Sequence, residues 1–132
     1  MKTKPTSTFT FAFLLIPLLL AGCGDGKKVN KDTTAFDKAF KSAPADVQAA
    51  AAKASAAFKA EKLQQASDAL IETAKKGGLT QEQKDSIIDI IAKIQTIMAV
   101  DPEKSDMKVF QSLENATAAV QGRAAAPIGP KY

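Results

Sequence analysis

The sequence predicts an all-α fold, a small antiparallel bundle of four to five helices that follows a cleaved signal peptide and a flexible tether. Three observations predict it. Between residues 33 and 121 there is no run of alternating β-branched residues, and the span is rich in Ala, Lys, Gln, Glu and Ile, of which alanine and the long straight side chains favour helix. Apolar residues in this span recur at intervals of three and four. Pro44, the Gly77-Gly78 pair, Asp101-Pro102 and Gly122 interrupt the pattern at helix-length spacing.

The chain opens with Lys2 and Lys4, runs through an apolar segment from Phe9 to Leu20, and reaches the small residues Ala21 and Gly22 before Cys23. This is the charged, apolar and small-residue order of a secretory signal. The apolar run falls short of the roughly 20 residues that a spanning helix needs. It also carries Pro17 and is followed by Gly24 and Gly26, so a permanent membrane span is not expected. The tetrapeptide Leu20-Ala21-Gly22-Cys23 resembles the lipobox of bacterial lipoproteins. The resemblance implies that Leu20, Ala21 and Gly22 are read by the lipoprotein signal peptidase, that cleavage falls before Cys23, and that Cys23 carries a diacylglycerol thioether with a further acyl chain on its new amine. The family's sorting rule keeps a lipoprotein in the inner membrane when Asp follows the cysteine. Gly24 stands there in this chain, with Asp25 one place later, so the resemblance implies an outer-membrane protein facing the periplasm. The alternative for the only cysteine is a buried free thiol in an N-terminal helix.

Four segments follow from this reading: a signal peptide over 1–22, a lipidated N-terminus and tether over 23–32, a helical domain over 33–121 and a disordered tail over 122–132. The tether consists of Gly, Asp, Lys and Asn for the most part, a composition that buries little surface. Fully extended it reaches roughly 30 Å at about 3.4 Å per residue. Each buried CH₂ contributes about 0.8 kcal/mol, so one acyl chain holds marginally and two or three hold firmly. Lys27, Lys28 and Lys31 stand where they can meet anionic headgroups or simply remain solvated.

Within the domain, the first helix is predicted from Thr33 or Thr34 to Lys41, with Ala35, Phe36, Ala39 and Phe40 as a narrow apolar stripe, and Pro44 closes it. A second helix shows Val47, Ala51, Ala54 and Phe58 on one face, and a third set, Leu63, Ala66, Leu70, Ile71 and Ala74, ends at Gly77 and Gly78. Residues 54–77 resemble a single tetratricopeptide-type helical hairpin in small Ala54, aromatic Phe58, the turn at Glu61 to Leu63, Ala66 and Leu70. Glu61 stands where that family's turn usually has Gly, its closing Pro is missing, and no second copy follows. Repeat arrays need about three units, and an ordinary alanine-rich αα-hairpin is the other reading.

Thr80 and Gln83 form a capping box for the next helix, whose Ile87, Ile88, Ile90, Ile91, Ile94, Ile97 and Met98 cover about half its circumference. So wide a face touches helices on two sides, and Asp89 and Lys93 pair on the opposite one. Asp101 and Pro102 are predicted to cap and begin the last helix, with Met107, Phe110, Leu113, Thr117 and Val120 inward, packed antiparallel on the isoleucine helix.

Composition excludes several chemistries. The chain has no histidine and commits its cysteine to lipid, so metal sites built on nitrogen or sulfur lack ligands and nucleophilic triads lack their usual base. Asp68 with Glu72 and Asp85 with Asp89 fall one helical turn apart, but no tryptophan supplies a sugar platform. Lys75-Lys76-Gly77-Gly78 follows a helix and lacks the spacing of a phosphate loop. Asn115-Ala116-Thr117 sits inside a predicted helix, which argues against glycosylation. Of 18 basic residues, Lys2 and Lys4 leave with the leader, and the remaining 16 against 14 acidic residues make no nucleic-acid surface. The expected function is therefore non-catalytic, without cofactor or metal: a membrane-anchored protein-interaction module, or a structural or stress-type lipoprotein that associates with the wall or with its own copies. Phe36 and Phe40, on a peripheral helix, are the candidate partner surface, and truncating Ile91 is expected to cost the fold more than truncating Phe36.

Overall fold

Five α-helices and one 3-10 turn make up the regular structure of residues 28–124, the residues that the computed structural model describes. Leu20, Ala21, Gly22 and Cys23, and the tail from 125 onward, lie outside the described residues. The helices are α1 (Thr34–Phe40), α2 (Ala45–Lys59), α3 (Leu63–Lys75), α4 (Gln81–Val100) and α5 (Met107–Val120), with the 3-10 turn over Pro102–Lys104. Among the described residues the fold is all-helical, as composition and periodicity predict.

Helix α1 starts where the Asp32 carboxylate accepts from the backbone N–H and the hydroxyl of Thr34, at 2.8 and 2.5 Å. Thr33, itself buried, donates to Asp37 at 2.8 Å and accepts from Ser55 of α2 at 2.9 Å, a polar relay that ties the two helices and runs from the core to the exposed Asp37 carboxylate. Helix α2 carries Val47, Ala51, Ala54 and Phe58 inward as predicted, and α3 carries Leu63, Ala66, Leu70 and Ala74. They form an antiparallel hairpin through Ala60–Lys62. Glu61 in this turn has φ 56°, the left-handed region that favours glycine. It occupies the position where the hairpin resemblance has Gly.

The capping box forms as read: Thr80 Oγ1 accepts from the Gln83 N–H at 3.2 Å, and Gln83 Oε1 accepts from the Thr80 N–H at 3.0 Å. Ile87, Ile90, Ile91, Ile94, Ile97 and Met98 are all buried. Asp89 and Lys93 make their ion pair at 2.7 Å.

Helix α3 lies between α2 and α5, and α4 packs across α3 and α5 while α1 fills the space beside α4 and α2. Ser112 of α5 stands level with Gln64 and Asp68 of α3, and Val120 stands by Ala74, so α5 runs parallel to α3 and antiparallel to α4. The antiparallel direction relative to α4 agrees with the sequence, but the main partner of α5 is α3. The facing sides explain why. Ala66, Ser67, Thr73 and Ala74 on α3, and Ser112 and Ala116 on α5, are small and buried, which lets the two axes approach closely.

Three expectations are corrected. Phe36 and Phe40 are each only 2% exposed, with ring centroids 4.8 Å apart, and belong to the core. They form no partner surface. A seven-residue helix has too few turns to stand alone, and burying both rings against α4 and α2 is what holds it. The last helix begins at Met107 rather than Pro102, because Asp101 caps only a single 3-10 turn and Asp106 caps α5 by accepting from the Lys108 N–H at 2.8 Å. Its inward set is Val109, Ser112, Leu113, Ala116 and Val120, which leaves Met107 and Phe110 facing outward.

Candidate functional site

The segment predicted as the end of the tether, residues 28–32, lies against the bundle. Val29 packs half-buried on the core, Lys31 ion-pairs with Glu61, and Lys93 donates to the Asp32 carbonyl at 2.9 Å. Lys104, in the 3-10 turn, reaches Glu61 at 2.5 Å and Asp101 at 3.3 Å. Glu61 thus joins three segments: the incoming chain, the α2–α3 turn and the α4–α5 connection. Hydrogen bonds from Lys104 and Lys31, with their positive charges, lower its carboxyl to about 2. The same attraction raises the Lys104 ammonium. A cleft lined by the apolar Val29, Ile97 and Val100 and the charged Lys28, Glu61 and Lys104 opens here.

This end of the bundle also exposes apolar side chains. Among the described residues the large hydrophobics in solvent are Val100 at 46%, Met107 at 71% and Phe110 at 39% exposed. Val100 borders the cleft beside Lys28. Ser112 is level with Gln64, so Met107, five residues earlier on a helix rising 1.5 Å per residue, lies about 7.5 Å further toward the Glu61 turn. Phe110 follows Met107 by three positions and shares its face. At the opposite end, around Lys75 to Glu82 and Lys41 to Pro44, no large hydrophobic among the described residues is exposed.

A second concave surface runs along α2 and α3, with Ala56, Ala57, Ala60 and Ala69 beneath and Lys53, Lys62, Asp68 and Glu72 at its margins. Of the four carboxylates that fall one turn apart in the sequence, Asp68, Asp85 and Asp89 are engaged by neighbours, and Glu72 is exposed. Asp68 accepts from Gln64 and Ser112, Asp85 from Gln81, and Asp89 from Lys93. Among the described residues no three His, Cys, Asp or Glu side chains gather as metal ligands, and no helix is long and apolar enough to cross a membrane.

Sequence reading missed the role of Glu61 and the exposure of Met107 and Phe110. The first had a signal, a charged residue where a hairpin turn of this kind favours glycine. The second had none in hydropathy, because the buried face of α5 mixes the small Ser112 and Ala116 with Val109, Leu113 and Val120, while Met107 and Phe110 are as apolar as any of them. No family model, curated protein or solved structure matches the chain.

Proposed function

We propose that the chain is a bacterial envelope lipoprotein, anchored through a diacylglycerol thioether on Cys23, whose helical domain acts without catalysis as a protein-interaction module. The observation that carries the reading is the Leu20-Ala21-Gly22-Cys23 lipobox behind a basic start and an apolar run. Outer-membrane delivery with the domain in the periplasm follows from Gly24. The α2–α3 groove, floored by alanine and bordered by both charges, is the concave face the domain offers to an envelope protein.

Burial of Phe36 and Phe40 favours a second reading, a structural or stress-type lipoprotein that associates with the wall or with its own copies, since it removes the apolar surface on which a partner contact was expected. Affinity capture of the lipidated protein from cross-linked envelopes separates the two. A discrete protein supports the interaction module, and wall material or only the chain itself supports the structural role. The anchor has its own test: Cys23→Ser abolishes labelling with a palmitate analogue and leaves precursor or soluble protein. A Ser variant that still fractionates with membranes at the mature size refutes it.

A further inference from the structure

We propose that the end of the bundle at which residues 28–31 enter seats on the bilayer, with Met107, Phe110 and Val100 in the boundary between headgroups and acyl chains. The inference rests on the reading of Cys23 as the lipid attachment point and adds an orientation to it. The chain allows it. From Cys23 to Lys28 there are five residues, which span at most about 17 Å at roughly 3.4 Å each. Because residues 28–32 lie against the domain, only this length separates the acyl chains from the fold, about half of what the sequence alone predicts.

The exposed side chains fit the same occupant. Val100, Met107 and Phe110 all lie at this end, whereas among the described residues the far end exposes no large hydrophobic. Small soluble domains seldom gather exposed apolar residues without a partner for them. Charge is not the driver. Lys31 and Lys104 are already paired with Glu61, and Asp101 and Asp106 offset the lysines nearby, so the contact is apolar insertion beside lysines whose stems can lie along a headgroup layer. The acyl chains read onto Cys23 hold the protein to the membrane by themselves, so an inserted α5 turn sets the orientation of the domain rather than its attachment.

The test uses the full lipidated protein, reconstituted into vesicles of phosphatidylethanolamine and phosphatidylglycerol. Met107→Cys supplies a free thiol for an environment-sensitive fluorophore, and Glu82→Cys, exposed at the opposite end of α4, supplies the control. Flotation with the vesicles reads the anchor, and quenching by lipids with a nitroxide near the headgroup reads the seating. The expected result is flotation of both, with a blue shift and loss of most of the emission at position 107 and neither at position 82. Flotation with equal emission at the two positions overturns the seating and leaves the anchor intact. Cross-linking between copies through position 107 in place of quenching overturns it in favour of a second copy as occupant. Failure to float overturns the anchor and, with it, the seating.

Discussion

Truncation of Phe36 to alanine measures whether α1 belongs to the core. Phe36 is 2% exposed and meets Phe40 at a 4.8 Å centroid distance with rings tilted by 45°. Deleting a fully buried phenylalanine costs about 3–5 kcal/mol, and loss of a tilted aromatic pair belongs to the upper part of that range. A domain of this size holds about 5–15 kcal/mol in total. At about 4–8 °C per kcal/mol, the melting midpoint of Phe36→Ala falls by at least about 12 °C. The loss matches that of Ile91→Ala, for which about 2–5 kcal/mol is expected. Phe36→Leu, which keeps much of the buried apolar area but loses the aromatic pair, costs less than Phe36→Ala. Urea unfolding followed by far-ultraviolet circular dichroism reads all three. A loss below about 1 kcal/mol for Phe36→Ala, with an unchanged urea slope, would refute the reasoning, because the site would then contribute little to the core.

Two further outcomes follow from particular contacts. Asp106→Ala removes the side-chain acceptor for the Lys108 N–H and lowers unfolding stability by about 1 kcal/mol, whereas a loss at Asp101→Ala alone would mean that α5 starts at Pro102 after all. In the acid range, the folded-state carboxyl of Glu61 lies at about 2 against an ordinary value of 4.5, so its contribution is full above about pH 4.5 and disappears as the pH falls toward 2. Asp32, Asp37 and Asp46, also lowered, act in the same direction. A thermal melt series from pH 7 to pH 2 therefore falls less steeply for Glu61→Gln than for the parent between pH 4.5 and 2, and equal slopes would contradict the triple junction.

How much of this was legible depended on the kind of signal. The capping box at Thr80 and Gln83, the isoleucine face of α4 and the alanine face of α2 are local patterns, set by neighbours three or four places away, and each appears where the sequence puts it. The start of α5 is not legible, because two Asp residues five apart both suit a cap, and only the backbone beyond the 3-10 turn decides between them. Its direction is legible but its inward face is not, because hydropathy alone points Met107 and Phe110 to the core. Where two helices lie close together, Ser112 and Ala116 are what fit between them, and Met107 and Phe110 are left to the outside. The Glu61 junction joins residues 31, 61 and 104, and no local pattern links positions so far apart.

The Gln83 side chain closes the α4 capping box with its oxygen, while its amide nitrogen donates at 3.1 Å to the Ala39 carbonyl in the last turn of α1. One buried amide thus serves the start of the longest helix and the end of the shortest. Opening α1 strands that donor in the interior, and opening the first turn of α4 leaves the Ala39 carbonyl without it. The two segments, more than forty residues apart, are thereby merged into one cooperative unit. Backbone amides of α1 should exchange with solvent deuterium as slowly as those of the first turns of α4, and Gln83→Ala should release both together.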